Sequence, residues 1–512
     1  MEDTGREGVK TALRYDKNQF SKLGESDSVS VNKNHRDLSI IHDRISNGKT
    51  VNAICLTSMT FDSVLTEAIK GLEHYEMRCL WEISKALSRG VHVHFFSKKT
   101  VSQEAKEHFF DVFCFTDAQK AKVTFTSVED ILGINSLDKD LSDYVLYNHR
   151  VREIFSRISQ KPFSYLECFV LTKKELEISQ AFSLPTYWSH EEVEYFKTKS
   201  GNRFLLDGVT KMPKGFSDLY TIDDFVGAIK KLKVVLPNVN KFVVKLNDGV
   251  SGDGNGFVKL IGNRFNEHSI RQSLIDTNFV SEKMTYTKFF KELSRQGGVV
   301  EEFVEGQSKR SPSVQLYLKP NGDFEILSSH EQILDETGSR FLGAIFPASV
   351  DHRSQILYEA KKVARALARK KVYGIVGLDF LTVKQNEGNI DTYLIEINLR
   401  KGGTTHPFWT VKNALNAKAD HEMGAFILEN GKSRVYRSND NLVTLKSRKR
   451  SLNKLMDELK VKGILFCPKS KKGAIIHMAD GWEPSGKIGA VIIGENQLEA
   501  QKIEEILIKA TT

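Results

Sequence analysis

The sequence predicts a mixed α/β and α+β protein of about three domains, at ~150 residues for each. Two short apolar runs, VNAICLTS from Val51 and VHVHFFS from Val91, enclose the helical-looking stretch FDSVLTEAIKGLEHYEMRCLWEISKAL. Strand, helical crossover and second strand is the pattern of a parallel α/β unit. From about residue 194 the text changes to strand-like runs with turn signals, interrupted by helical segments such as DDFVGAIKKLK and QILYEAKKVARALARK. That reads as α+β with several antiparallel pairs. The 512 residues, 40% apolar and 27% charged, supply ample core and argue against extended disorder.

Taken in order, residues 1 to about 35 are polar, rich in Ser, Asn and Lys and without periodicity, so a flexible tail is expected. They hold no apolar segment of a secretory signal. No apolar run approaches the ~20 residues that span a bilayer, so no membrane partner is expected. Residues 36–193 read as an α/β domain and 194–440 as an α+β domain. The remainder, 441–512, runs through GILFCP, GAIIHMA, KIGAVIIGE and the helical ENQLEAQKIEEILIKA. It is expected to form a small α+β unit packed on, or swinging against, the middle one. Five cysteines, Cys55, Cys79, Cys114, Cys168 and Cys467, lie far apart with no C-x-x-C pair. They give neither a disulfide framework nor a zinc site and suit a reducing, cytoplasmic setting.

The 74 Lys+Arg against 65 Asp+Glu leave a net charge of +9, which invites a nucleic-acid partner. The charge is local. Between Lys446 and Lys472 stand ten basic and two acidic residues, nearly the whole excess. RNA binding also calls for aromatic platforms beside the charges, and this stretch has only Phe466, in an apolar run. A solvated basic face is the expectation, and nucleic acid is not an expected partner.

The segment KFVVKLNDGVSGDGNGFVKLI reads as two strands, 241–246 and 256–261, joined by NDGVSGDGN. No helix follows the glycines, which excludes a Walker loop and a dinucleotide-binding turn, since both place phosphate at a helix N-terminus. A glycine-rich β-hairpin can instead fold over a triphosphate, with Gly252, Gly254 and Gly256 letting backbone N–H groups approach. Lys245 could then reach a phosphate as a point charge. The same residues also suit an ordinary solvated turn.

YGIVGLDFLTV (373–383) and DTYLIEINLR (391–400) read as a second strand pair. Period-two geometry puts Glu396 and Asn398 on one face, with Asp379 at matching depth in the first strand. Carboxylates inside apolar strands are rarely buried without partners. Three hard oxygen ligands at one place suit Mg2+ with phosphate oxygens, and Arg400, on the same face, points a planar cation there. The alternative is a solvent-facing edge pair. Between the two pairs, GGVVEEFVEG (297–306) could offer backbone groups around Val304 to an adenine edge and an acidic side chain to ribose hydroxyls.

Together these motifs resemble the ATP-grasp superfamily, in which two α+β subdomains clamp ATP. Lys245 with 251-SGDGNG-256 resembles the family's lysine and glycine loop, which brings in Ser251. Glu301 or Glu302 to Gly306 resembles its hinge, and Asp379, Glu396, Asn398 and Arg400 its D…E-x-N-x-R metal set. TKSGNR (198–203) is similar to the first nucleotide-facing basic segment, bringing in Lys199 and Arg203. HYEMR (74–78), TKSGNR and GAIIHM…GKIGAVIIG resemble one branch, the peptide ligases related to that of pheganomycin biosynthesis. The implied architecture is an ATP-grasp fold with an N-terminal pre-ATP-grasp α/β domain and a small C-terminal α+β domain.

The resemblance implies an ATP-dependent carboxylate–amine ligase. ATP and Mg2+ serve as cofactors, an amino acid or other carboxylate and an amine or peptide are the substrates, and a homodimer is implied. One departure affects the chemistry: D-alanine ligases place an arginine two residues before the metal aspartate, where this chain has Gly377. Arg400 is then the candidate to meet the developing oxyanion, with Arg340 and Arg310 as loop alternatives that also read as exposed charges. His406 in GGTTHP could contact the acceptor amine, though it and His330 read first as capping or packing residues. Two other classes stand against the ligase. A kinase-like phosphotransferase would use Lys259 after the hairpin, but the chain has no H-R-D-x-x-x-x-N loop followed by D-F-G. A non-catalytic nucleotide-binding protein would act through the basic segment.

Overall fold

The computed structural model describes residues 25–60, 72–134, 137–188, 191–249, 254–260, 266–335, 341–385, 388–443 and 451–511. Three sheets organise them. The first has four parallel strands in the order Val123–Ser127, Val91–Ser97, Val51–Leu56, Ser164–Cys168. Its central strand Val51–Leu56 is buried at every position, as its unbroken apolar run requires between two covering layers. The crossover from it enters the 3-10 helix Leu72–Leu87.

The second sheet is antiparallel, in the order Gly215–Leu219, Gly298–Glu302, Lys241–Leu246, Asn255–Lys259, Asn278–Phe279. Helices Ile222–Val235, Glu267–Ile275 and Tyr286–Gln296 bury Phe225, Ile229, Leu232, Ile270, Phe289 and Leu293 against Phe242 and Val244. These residues form a hydrophobic core of their own. Segment 215–302 is therefore a separately packed lobe.

The third sheet has eleven strands and carries the rest of the core. Gly374–Lys384 lies between Ser308–Arg310 and Pro312–Leu318 and also pairs with Ile390–Asn398. Beyond Pro312–Leu318 come Phe324–Leu334, Phe341–Phe346 and Ser433–Val443. Helix Val350–Arg369 covers one face; the Ser349 hydroxyl caps it, accepting from Asp351 N–H. It buries Ile356, Ala360, Val363, Ala364 and Leu367, a spacing that keeps one stripe on the sheet. The two alanines on that stripe permit close approach.

Of the two arrangements expected for the C-terminal strands, packed on the middle unit or swinging against it, the structure has them packed: Lys487–Gly494 pairs with Ser433–Val443 over Val435↔Gly494 to Val443↔Lys487, and Gly473–His477 pairs with Lys487–Gly494. Ladder hydrogen bonds thus make the C-terminal segment an extension of the core sheet, and one hydrophobic core runs through it, the first sheet and the third. Part of the basic stretch is the amphipathic helix Leu452–Val461, which buries Leu452, Leu455 and Leu459 and leaves its lysines outward.

The tail is shorter than expected. Helix Glu25–Ser46 occupies residues assigned to it from 25 onward. Leu38 and Ile41 are buried, with Ile45 packed behind them, and His42 Nε2 lies 2.8 Å from Tyr187 Oη and 2.9 Å from Tyr317 Oη. Only the last three turns carry an apolar stripe; the polar first turns hide the helix start from a periodicity search. Residues 1–24 lie outside the described residues.

Candidate active site

The site residues lie where the separate lobe meets the large sheet. Lys245 sits on the middle strand of the lobe, facing Asn255 across the hairpin and Val299 on the other side. Lys245 is only 7% exposed, and Nζ lies 2.6 Å from Glu301 Oε2. Arg203 reaches the other oxygen of the same carboxylate at 2.8 Å and donates to Pro213 O at 3.0 Å. Burial pushes Glu301 upward, but the fields and hydrogen bonds of Lys245 and Arg203 outweigh it and hold the carboxyl below its ordinary value. Of the two hinge acids, Glu301 or Glu302, Glu301 is engaged as the anion between two cations. Glu302 accepts from Lys214 N–H at 2.8 Å, and Val304 is buried just past the strand.

The hinge glycine has a steric reason. A Cβ on Gly306 would stand 2.1 Å from Val383 Cγ1 and 3.1 Å from Lys384 O, so only glycine lets the chain cross strand Gly374–Lys384 here. In the hairpin, Gly256 has a packing reason: a Cβ would meet Thr277 Cγ2 at 2.5 Å. Gly254 closes the turn, its carbonyl accepting from Leu246 N–H at 2.9 Å. Ser251 and Gly252 lie outside the described residues, as does Arg340.

Lys199 links the lobe to the large sheet. It opens helix Lys199–Leu206, whose N-cap Thr198 accepts from Gly201 N–H at 3.0 Å. Nζ lies 3.5 Å from the carbonyl of Gly249, at the start of the glycine loop, and 3.4 Å from Glu396 Oε1. The same helix is tied to the acidic strand by Asn202, whose Oδ1 accepts from Ile397 N–H at 2.5 Å.

The strand register brings the acidic set together: Asp379 faces Glu396 and Gly377 faces Asn398. Asn398 Nδ2 donates to Asp379 Oδ2 at 2.7 Å, Gln332 Nε2 donates to Asp379 Oδ1 at 2.6 Å, and Arg400 Nη2 donates to Asn398 Oδ1 at 2.9 Å. Burial, then the charge of Glu396, pushes Asp379 up to about 7 against the pull of Arg400, Gln332 and Asn398. Like charges directly opposite in a sheet are destabilising. A buried carboxyl whose ionisation is pushed up to about 7, beside a second carboxylate and an amide oxygen, is a hard-oxygen set short of positive charge. That chemistry fits Mg2+.

Arg400 is followed by Lys401, whose Nζ lies 2.5 Å from Glu82 Oε1 and 2.8 Å from Glu167 Oε2, both in the parallel α/β unit. This buried pairing fixes the turn after the acidic strand. Burial lowers the guanidinium of Arg400, against the fields of Glu396 and Asp379 and together with that of Arg78.

Other candidates stand apart. Arg310 lies on the exposed strand Ser308–Arg310, and Lys259 is exposed. His330 is a packing residue, buried with Nε2 2.6 Å from Tyr436 Oη and lowered by burial to about 3. His406 is buried beside Asp440 and His477. Gln332 escaped the sequence reading because its contact with Asp379 depends on a register two strands away, which no local spacing encodes. Arg78, in HYEMR, pairs with Asp440 at 2.9 Å; the motif was visible, its partner was not.

Comparison with known proteins bears on the fold. Residues 277–401 match the family model described as IQCH-like, ATP-grasp, and residues 454–507 match the PGM1 C-terminal domain. A curated relative is the L-propargylglycine–L-glutamate ligase of Streptantibioticus cattleyicolor, 23% identical over 377 residues, covering 72% of this chain and 75% of that protein. A second is IQ motif-containing protein H of Danio rerio, 21% identical over 321 residues, covering 56% of this chain but only 30% of that protein. Among solved structures, N5-carboxyaminoimidazole ribonucleotide synthetase from Thermus thermophilus superposes with a TM-score of 0.50 at 13% identity, over 90% of this chain and 98% of that one. The likeness is one of fold.

Proposed function

Because this chain carries an ATP-grasp domain, we propose that it joins a carboxylate to an amine at the expense of ATP. The observation that carries the reading is Lys199, which contacts both the glycine-loop carbonyl of Gly249 and the Glu396 carboxylate. One cation thereby spans the two bodies that would close on a nucleotide.

In this reading the triphosphate lies under the glycine hairpin, with Lys245 and Lys199 facing its charge and the backbone near Val304 facing the purine. Asp379, Glu396 and Asn398 would hold Mg2+, which when bound neutralises charge on the transferring phosphoryl group. The substrate carboxylate attacks the γ-phosphorus and ADP leaves. The amine then displaces phosphate from the acyl phosphate, giving the amide. Arg400, anchored by Asn398, is the donor that meets charge developing on the acyl oxygen. No protein nucleophile is needed, and positioning supplies much of the acceleration.

The substrate class follows from the relative whose name specifies two amino acids. An amino-acid carboxylate and an amino acid or peptide amine are the substrates proposed here, with a homodimer as the working assembly. Among the described residues no helix is long and apolar enough to cross a membrane. The test is ADP release measured against pairs of amino acids, with the product identified by mass. Glu396→Gln is expected to abolish amine-dependent ADP release in protein that remains folded, and Lys245→Ala to abolish it with the large sheet still folded. Full activity in either would remove the site assignment, and ATP binding without turnover on any pair would favour a non-catalytic nucleotide-binding protein.

A further inference from the structure

Outside the ligase site, four charged or titratable side chains meet where three parts of the chain join. His406 comes from the first turn of helix Thr405–Leu415, Asp440 from strand Ser433–Val443, His477 from the end of strand Gly473–His477, and Arg78 from the 3-10 helix Leu72–Leu87. His406 Nε2 lies 3.1 Å from Asp440 Oδ1, His477 Nε2 lies 2.8 Å from the same oxygen, and the two imidazole nitrogens are 3.2 Å apart. His406 is 4% exposed, Asp440 6% and His477 2%.

Three ligand-type atoms therefore converge on one buried point. Without a metal, both imidazoles can donate from Nε2 to the two lone pairs of the one carboxylate oxygen. A cation at the centre satisfies all three atoms together. A tetrahedral ion at the ~2.0–2.1 Å typical of zinc–nitrogen bonds holds its ligands about 3.3 Å apart, near the 3.1 and 3.2 Å edges on His406 and wider than the 2.8 Å from His477 to Asp440. Two imidazoles and one carboxylate are also the donor set of zinc-class metals rather than of Mg2+.

The surroundings hold these atoms in place. Arg78 Nη2 takes the other carboxylate oxygen, Oδ2, at 2.9 Å, which turns Oδ1 toward the histidines. Its remaining contact here is 3.4 Å to His406 Nδ1. Gly489 lies flat against the His477 ring: a Cβ there would stand 2.0 Å from Nε2, so the glycine leaves the imidazole its position. His477 Nδ1 is buried with no hydrogen-bond partner, and the ring is held by Gly489 and by the His406 ring, whose centroid is 4.5 Å away.

We propose that His406, Asp440 and His477 bind a zinc-class divalent cation that ties the ATP-grasp core to the C-terminal strands. Three protein ligands leave a fourth position for water. The site is separate from the Asp379 set and independent of the ligase reading.

The test uses the full chain, stripped with a chelator, dialysed, and titrated with Zn2+ in the presence of excess Mg2+. Co2+ serves as the spectroscopic probe in a parallel titration. Expected are uptake of about one Zn2+ per chain, a rise in Tm on loading, and visible Co2+ absorption of four-coordinate intensity. All three should vanish in His477→Ala and His406→Asn and persist in Asp379→Asn. Uptake below about a tenth of an equivalent in the unaltered chain would overturn the proposal, as would undiminished uptake in both histidine variants. If circular dichroism shows the histidine variants unfolded, the near-isosteric Asp440→Asn decides: unchanged Zn2+ affinity there refutes the site, and a loss of tenfold or more supports it.

Discussion

Replacing Glu301 with Gln tests how the lobe is held in a form able to bind a nucleotide. Glu301 is 3% exposed, and its carboxylate lies 2.6 Å from Lys245 Nζ and 2.8 Å from Arg203 Nη1. Each contact is worth about 6 kcal/mol of Coulomb energy at an effective dielectric of ~20, most of it offset by the cost of taking the ions out of water. Removing the shared anion leaves two cations facing each other with that cost unreturned, and breaking a buried pair in this way costs about 3–5 kcal/mol. Because segment 215–302 has its own core, the loss should appear as an earlier separate unfolding step of the lobe, while the large sheet keeps its transition. Urea denaturation followed by fluorescence and by amide hydrogen exchange in 241–246 and 298–302 reads both. The sign of the pH dependence is fixed as well. The folded carboxyl lies below its unfolded value, so its stabilisation is present above about pH 4.3 and fades as pH falls toward the folded value. Glu301→Gln should flatten that acid limb. A variant within about 0.5 kcal/mol of the parent, with the acid limb unchanged, would refute the reasoning.

Other outcomes follow from the same geometry. Gly306→Ala places a methyl 2.1 Å from Val383 Cγ1 and should cost about 1–3 kcal/mol in thermal melts, with partial recovery in Gly306→Ala/Val383→Ala; an unchanged Tm in the single variant contradicts the crossing. Asp379, raised to about 7, holds a proton in the folded state that the unfolded chain releases near pH 3.9. Stability should therefore fall as pH rises between those values. Divalent-cation binding should release that proton, so Mg2+ affinity should climb about tenfold per pH unit below about 7 and level off above it, as calorimetry in buffers of different ionisation enthalpy can measure. A pH-independent affinity would remove Asp379 from the ligand set.

The elements that carry the candidate site were legible because each is local. The hairpin around Lys245 and the pair holding Asp379, Glu396 and Asn398 are consecutive strands with short connections, so period two and turn residues fixed both pairing and facing. Long-range partners were not legible. Gln332 reaches Asp379, and Arg203 shares Glu301 with Lys245, through contacts 47 and 98 residues apart in the chain. An apolar strand such as KIGAVIIG announces burial on both faces without naming its neighbour, which is why its place beside Ser433–Val443 came only from the structure. The same limit hid the meeting of HYEMR, GGTTHP and GAIIHM, three motifs visible singly whose side chains converge only in the fold.

The most direct measurement follows oxygen through the reaction. With the productive amino-acid pair identified, the donor carboxylate is labelled with 18O and the released phosphate and the product are weighed by mass spectrometry. The proposed ligation predicts ADP, amide and phosphate in equal amounts, with one labelled oxygen in the phosphate, and none of these products in Glu396→Gln. Phosphate without label, or a phosphorylated product without an amide, would contradict it.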